Sequence, residues 1–237
     1  MTLREKRSII NIEMPVRKNL LVNYEVYHVF NRGNGSIPIF KNVFDHQKFL
    51  QTILYYQNSN PPLRLSKFNS LTPSERESYL RKLKQEKNYL VEIIAYCLMP
   101  NHFHLLLKQL KDEGIKNFLR LISDSHSRYF NTKYTRKGSL FEGRFKALRV
   151  ENDSQLLHLS RYIHLNPYSS FLVKDLKDLF KYPYSSLKEY LNYTNTSVCN
   201  KEIILSQFKS TKDYHQFILD QTDYQRTLDT IKHQSLE

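Results

Sequence analysis

Two apolar segments, separated by a Pro-Asn dipeptide, constrain what the middle of this chain can fold into. Residues 90–98 are apolar on both faces, which is typical of a strand in the centre of a sheet. After Pro100-Asn101, the run His102-Phe103-His104-Leu105-Leu106-Leu107 predicts a second strand that reaches about Gln109. Because the break between them is so short, the loop suits antiparallel pairing of the two strands.

The second of these strands carries two histidines one residue apart. Alternate residues of a strand share a face and lie roughly 6.5–7 Å apart, so His102 and His104 are expected to point the same way while Phe103 points into a core. Two imidazoles at this spacing can reach one metal ion. They make only part of a site, and a third ligand has to come from another segment.

The charge of the chain favours a polyanionic partner. Lys and Arg number 36 against 23 Asp and Glu, which gives a net charge of +13. Basic residues cluster between positions 128 and 149 among aromatic residues, a combination that suits phosphates and unpaired bases. The basic residues there are Arg128, Lys133, Arg136, Lys137, Arg144, Lys146 and Arg149. The competing interpretation is that many of the interleaved rings belong to the core.

Composition also excludes several classes of protein. No apolar run approaches the roughly 20 residues that a membrane-spanning helix needs, and the N-terminal residues lack the pattern of a signal peptide. Cys97 and Cys199 are the only two cysteines, which argues against a disulfide scaffold and against a cysteine zinc site. We therefore expect a cytoplasmic, nucleoid-associated protein that has no membrane partner.

The order of the predicted elements favours an α+β fold. In chain order they are a strand at 20–31, helices at 44–57 and 72–87, the two apolar strands, a helix at 115–134, a strand within 138–150 and a helix from Asp153 to Leu165. This mixture predicts one antiparallel sheet with helices packed on it. The predicted divisions are a basic arm at 1–19, a main domain at 20–193 with an insertion at 58–88, and a helical extension at 194–237.

One helix edge offers groups that suit the missing part of the metal site. Tyr162 and Asn166 are one turn apart and fall on the same side of the helix, which we expect Asn166-Pro167 to end. The phenol is a candidate nucleophile and the amide a candidate third ligand. His158, one turn before Tyr162, is a candidate general base. Taken alone, Tyr162 is better explained as a boundary tyrosine and Asn166 as a helix cap.

Several motifs follow one another in a fixed order between about Leu21 and Tyr193. They are Tyr24-Glu25-Val26-Tyr27-His28-Val29-Phe30-Asn31-Arg32-Gly33, the segment from Met99 to Leu106, the segments 129–134 and 138–147, and Arg161-Tyr162-Ile163-His164-Leu165-Asn166-Pro167. Together they resemble the REP-associated tyrosine transposases, a branch of the single-tyrosine HUH transposases. The second segment resembles the HUH motif of that family, and the last resembles its tyrosine helix.

The resemblance implies a fold, a metal and roles for particular residues. The fold would be the ferredoxin-like, RRM-like HUH endonuclease fold, followed in this chain by a helical C-terminal extension. His102, His104 and Asn166 would hold a divalent metal, Mg²⁺ or Mn²⁺, and Tyr162 would be the nucleophile. This chain has Asn101 where other members carry an acidic residue, so a fourth, anionic ligand is not carried over. The candidate DNA contacts are Asn31, Arg32, Arg136, Lys137, Arg144, Lys146 and Arg149.

The expected function is that of a DNA transposase that nicks and rejoins single strands through a 5′-phosphotyrosine, at hairpin-bearing DNA ends. Its expected partner is single-stranded or hairpin DNA. Two other functions stay open at this point: a non-catalytic, RRM-like nucleic-acid-binding protein, and a metal-dependent phosphodiesterase that uses water. A monomer, and a homodimer whose tyrosine helix serves the histidines of the partner, are both compatible with the sequence.

Overall fold

A four-stranded antiparallel sheet organises the structure, a computed structural model that describes residues 21–194 and 198–222. The strands are β1 (Val26–Arg32), β2 (Val91–Met99), β3 (His102–Gln109) and β4 (Lys146–Arg149). Their order in the sheet is β2-β3-β1-β4. The basic arm predicted at 1–19 lies outside the described residues, as do parts of the predicted C-terminal extension.

Nine α-helices accompany these strands in the described ranges. They are α1 (Val43–Gln57), α2 (Leu65–Ser70), α3 (Pro73–Glu86), α4 (Gly114–Lys133), α5 (Asp153–Ser169), α6 (Leu176–Lys181), α7 (Leu187–Tyr190), α8 (Glu202–Leu205) and α9 (Thr211–Leu219). The order β1-α1-β2-β3-α4-β4, with a sheet order of 2-3-1-4, is the ferredoxin-like arrangement. The fold class predicted from the sequence is therefore confirmed.

The main core lies on the sheet face that α1 and α4 cover. Phe103, Leu105 and Leu107 of β3 are fully buried there, as the alternation of the strand predicts. The ring of Phe103 packs 5.5 Å from that of Phe49 on α1. The histidines of the same strand consequently face the opposite side of the sheet, where α5 packs against β2 and β3.

Helix α5 extends further than the sequence indicates. Its N-cap is Asn152, whose side chain accepts a hydrogen bond from Gln155 N, and it continues through Pro167 to Ser169. The expected end at Leu165 is wrong because proline removes only one intrahelical hydrogen bond, while residues 163–169 are all buried and packing holds them in helical conformation. Asn166 is therefore an interior helical residue, one turn from Tyr162, and not a terminal cap.

The elements after residue 194 pack behind the same helix. Arg161 donates a hydrogen bond of 3.0 Å to the carbonyl of Phe217, which lies on α9. Nδ1 of His164 lies 2.7 Å from the hydroxyl of Tyr214, and its Nε2 lies 2.8 Å from Oγ of Ser186. These contacts hold α5 against α9 and against Ser186, which is itself hydrogen-bonded to Tyr96 of β2.

The predicted helix in the insertion is confirmed, together with its start. The side chain of Thr72 accepts a hydrogen bond from Glu75 N, and the carboxylate of Glu75 accepts one of 2.7 Å from Thr72 N, which is a complete capping box. β1 is shorter than predicted because residues 23 and 24 form a turn, in which Tyr24 has a φ of 66°. No helix in the described ranges is both long and apolar enough to cross a bilayer.

Two buried histidines predict a pH-dependent stability. Burial lowers the pKa of His126 to about 4 and that of His164 to about 3. Between pH 6.5 and 4 the unfolded chain takes up a proton at each position that the folded chain does not. As the pH is lowered through this range, the free energy of unfolding should therefore fall by about 1.4 kcal/mol per pH unit for each histidine.

Urea unfolding at pH 7 and pH 5 measures this loss. His126 donates from Nε2 to the carbonyl of Ile39 at 2.8 Å, a bond that the amide of glutamine can imitate. His126→Gln should therefore fold and lose part of the pH dependence. An equal pH dependence in the wild type and this variant would show that His126 does not contribute to it.

Candidate functional site

The imidazole pair of β3 and the amide of Asn166 on α5 come together on one face of the sheet. The rings of His102 and His104 lie 5.0 Å apart at 87° to each other. Oδ1 of Asn166 is 3.3 Å from Nε2 of His102, and Nδ2 of the same amide is 3.4 Å from Nε2 of His104. Two ligands at right angles around one ion, each at about 2.1 Å, lie about 3.0 Å apart. The separation between Oδ1 of Asn166 and Nε2 of His102 is close to that value, whereas Nδ2 is a hydrogen-bond donor and would not bind the ion.

Tyr162 borders this group from the same helix edge. Its ring centroid is 5.5 Å from that of His104 and edge-on to it, and the residue is half-buried. Because α5 is regular through Asn166, the phenol and the amide project one turn apart toward β3. We refer to His102, His104, Tyr162 and Asn166 as the histidine–tyrosine site.

His28, on the first strand, also packs beside this site. It lies on β1 opposite Leu106 and points to the same face as the imidazole pair. Its Nε2 is 2.9 Å from Nδ1 of His104, and the two rings stack at 5.1 Å. Burial lowers the pKa of His28 to about 4, so its ring is neutral at physiological pH. Only the register between β1 and β3 reveals this contact, and no sequence motif encodes that register.

The two histidines of β3 are oriented alike. Nδ1 of His102 lies 2.7 Å from Oδ1 of Asn101, an acceptor, so this nitrogen donates and Nε2 keeps its lone pair. Nδ2 of Asn166 is a donor, so Nε2 of His104 accepts from it, and Nδ1 of the neutral His104 ring donates to Nε2 of His28. Asn101, which stands where the resemblance places an acidic residue, therefore orients a histidine through its amide oxygen.

The donor set fits a divalent ion. Two imidazole nitrogens and an amide oxygen are neutral ligands that Mn²⁺ accepts and that Mg²⁺, which prefers oxygen, accepts less readily. Ligating histidines commonly donate their second ring N–H to a neighbouring acceptor, which is how Asn101 and His28 are placed. No cluster of three or more His, Cys, Asp or Glu side chains with metal-binding geometry occurs in the residues that the structure describes. A metal site at this position would therefore need the amide oxygen of Asn166 as its third ligand.

The predicted general base does not lie with the histidine–tyrosine site. Nδ1 of His158 accepts a hydrogen bond of 2.6 Å from Nη2 of Arg161. The ring of His158 lies 6.3 Å from that of Phe217 on α9. This histidine is therefore engaged with the C-terminal helices, although it is only one turn from Tyr162.

The candidate DNA contacts divide into those near the site and those that serve the fold. Arg32 and Lys146 belong to the face of the sheet that carries the site, and Arg32 is paired with Glu142. Arg149 lies on β4 but on the opposite face, where it pairs with Glu25 at 2.8 Å. Lys137 and Arg144 are exposed in the loop before β4.

Two more of these predicted contacts, Asn31 and Arg136, also have partners within the fold. Asn31 is buried on the core side of the sheet, and its Oδ1 accepts a hydrogen bond from Arg32 N. The guanidinium of Arg136 donates to the carbonyls of Gly138 and Ser139, which shapes the loop that follows α4. The structure does not bring Asn31 to the site, because strand alternation turns its side chain away.

Comparison with known proteins agrees with the resemblance seen in the sequence. The family model described as "Transposase IS200 like" matches residues 64–166, a segment that includes β3 and most of α5. A solved structure of a REP-associated tyrosine transposase bound to a REP hairpin is similar to this chain with a TM-score of 0.50 and 15% sequence identity. The match covers 78% of this chain and 90% of that chain. A search of curated proteins found no match.

Proposed function

We propose that this chain, which matches the IS200-like transposases in sequence and a REP-associated tyrosine transposase in fold, nicks and rejoins single DNA strands through Tyr162. The observation that carries the proposal is the convergence of the phenol-bearing helix edge with the imidazole pair. All of these groups come from one chain, which supports a complete site in a monomer. A site shared between subunits is not needed to explain the arrangement.

In this proposal His102, His104 and Asn166 hold the divalent metal. When bound, the ion would stabilise the negative charge that develops on the phosphate during attack. The side chains Asn101 and His28 keep the two ring nitrogens correctly oriented. Mn²⁺ is expected to support the reaction at least as well as Mg²⁺, because two of the three protein ligands are nitrogens.

Tyr162 acts as the nucleophile in this reaction. Its oxygen forms a bond to phosphorus, the bond from phosphorus to the 3′ oxygen breaks, and the phenolic proton is passed through solvent to the departing 3′-hydroxyl. The product is a 5′-phosphotyrosine, whose phosphoester bond a second 3′-hydroxyl can attack in the reverse direction. A water nucleophile would hydrolyse the strand without keeping it reactive, so a tyrosine in this position favours rejoining over degradation.

The proposed substrate is single-stranded or hairpin DNA. A net charge of +13 and the exposed lysine and arginine side chains before β4 suit a polyanion. The structural neighbour was solved with a REP hairpin, which makes hairpin DNA the first substrate to test.

The direct test is incubation with labelled single-stranded DNA hairpins and Mn²⁺, scored for an adduct that survives denaturation. We expect an adduct that disappears when EDTA removes the metal. Cleavage without an adduct would indicate hydrolysis by water. Binding without cleavage would leave a nucleic-acid-binding protein, and an adduct that persists in EDTA would remove the metal from the mechanism.

A further inference from the structure

The sheet face that carries the histidine–tyrosine site is only partly covered. Helix α5 lies over β2 and β3. On the neighbouring strands, side chains of the same face remain accessible: Leu148 of β4 is 55% exposed, Lys146 is exposed, and Phe30 of β1 is half-buried. Phe30 and Leu148 thus leave apolar surface accessible directly beside the proposed active site.

Strand register ties this open area directly to the site. Phe30 pairs with His104 on one side and with Lys146 on the other. Its ring centroid is 5.8 Å from that of His104, and the ammonium of Lys146 is 6.0 Å from the ring of Phe30. Leu148 occupies the adjoining position, opposite His28. The proposed metal ligand His104 on β3, the ring of Phe30 on β1 and Lys146 on β4 thus lie side by side across three neighbouring strands.

We propose that Phe30, Lys146 and Leu148 form a platform that binds the nucleotide next to the scissile phosphate of a single DNA strand. A base stacks on Phe30 and Leu148, and the adjoining phosphate contacts Lys146. This inference rests on the proposed function, since it names where the substrate of that site lies. We call these three residues the β1–β4 platform.

Single-stranded nucleic acid is the occupant that this chemistry fits. An accessible ring with a cation beside it is the combination by which proteins bind unpaired bases without reading their sequence. A duplex keeps the faces of its bases stacked inside the helix and cannot offer them to Phe30. The platform is also continuous with the site, so a strand with its phosphate at Tyr162 would pass over it.

The stacking contact is tested by comparing how the wild type and a Phe30 variant bind two DNA probes. The probes are a dT oligonucleotide and an abasic oligonucleotide of the same length, which carry the same phosphates but differ in bases. Binding is measured in EDTA, so that no cleavage occurs. The wild type should prefer dT, and Phe30→Leu should reduce that preference about fivefold, since each stacked base contributes roughly this much or more.

Phe44→Leu is the matched control for this variant. Phe44 is 71% exposed at the start of α1, which packs on the opposite face of the sheet. Its substitution should leave the preference for dT unchanged. If Phe30→Leu and Phe44→Leu both retain the full preference, or if the wild type binds the two probes equally, bases do not stack on the platform and the inference is wrong.

The lysine is tested by the salt dependence of binding. The logarithm of the binding constant falls linearly with the logarithm of the salt concentration. Removing one phosphate contact to a single strand makes this slope less steep by about 0.7. Lys146→Gln should show this change for both probes and keep the preference for dT, whereas Lys82→Gln on α3 should not. An unchanged slope for Lys146→Gln would remove the lysine from the contact.

The proposed chemistry and the β1–β4 platform can be disproved separately. If the wild type forms no adduct with Mn²⁺ but shows the stacking preference, the proposed chemistry is wrong and the platform stands as a binding surface. If adducts form and the preference is absent, the platform is wrong and the chemistry stands.

Discussion

Tyr162→Phe is expected to abolish the covalent DNA–protein adduct and to leave DNA binding within twofold of the wild type. The substitution removes only the phenolic oxygen, which is the atom proposed to attack phosphorus. The ring that packs edge-on against His104 stays in place, so the fold should be preserved. The loss should be complete within the limit of detection, because no partial nucleophile remains.

The measurement compares adduct yield on denaturing gels with affinity for the same hairpin in EDTA. Tyr193→Phe is a matched control, since Tyr193 is 61% exposed and lies after α7. Tyr129 and Tyr134 are poor alternative nucleophiles, because both hydroxyls donate to the buried carboxylate of Asp45. An adduct that persists in Tyr162→Phe would assign the reaction to another residue.

His104→Ala should lose both Mn²⁺ binding and cleavage. The substitution removes one of three proposed ligands, and the remaining two groups do not hold a divalent ion well. Calorimetric titration of the protein alone with Mn²⁺ measures the first effect without relying on activity. DNA binding in EDTA should be retained, which separates loss of the metal from loss of the fold. Mn²⁺ affinity equal to that of the wild type would exclude His104 as a ligand.

Substitution of His28 should also weaken Mn²⁺ binding, but less than His104→Ala does. His28→Leu keeps the packing approximately but removes the acceptor for Nδ1 of His104, and the loss of such a partner weakens metal binding about 10- to 100-fold. His28→Gln returns an amide oxygen that can accept this bond, so it should recover part of the affinity. Unchanged Mn²⁺ affinity in His28→Leu would show that His28 only fills space.

The sequence predicts the elements of this fold well because their patterns are strong. The alternation around Phe103 predicted the direction of the histidines, and the predicted start of a helix at residue 72 coincides with the capping box found there. The predicted end of α5 at Leu165 was wrong because burial of residues 163–169 outweighed the local effect of Pro167 on the helix. This error matters for the site, since the continued helix is what aligns the amide of Asn166 with Tyr162.

Residues that depend on pairing between distant segments could not be predicted in the same way. His28 and Phe30 reach the site only through the register of β1 against β3 and β4, which is set by long-range contacts. Charge alone does not place these side chains either: Arg136 shapes a loop, and Arg149 faces the other side of the sheet. Asn31 shows the same limit, since a shift of one residue along a strand reverses the face.

The most direct test of the account is mass-spectrometric mapping of the protein–DNA adduct formed with a hairpin substrate and Mn²⁺. After digestion with nuclease and protease, we expect the peptide that contains Tyr162 to carry a nucleotide attached through its 5′ phosphate. This modification should be absent when EDTA is added before the DNA. A modified peptide that contains a different tyrosine, or no modified peptide although the hairpin is cleaved, would contradict the central claim that this phenol and the imidazole pair act on one phosphate.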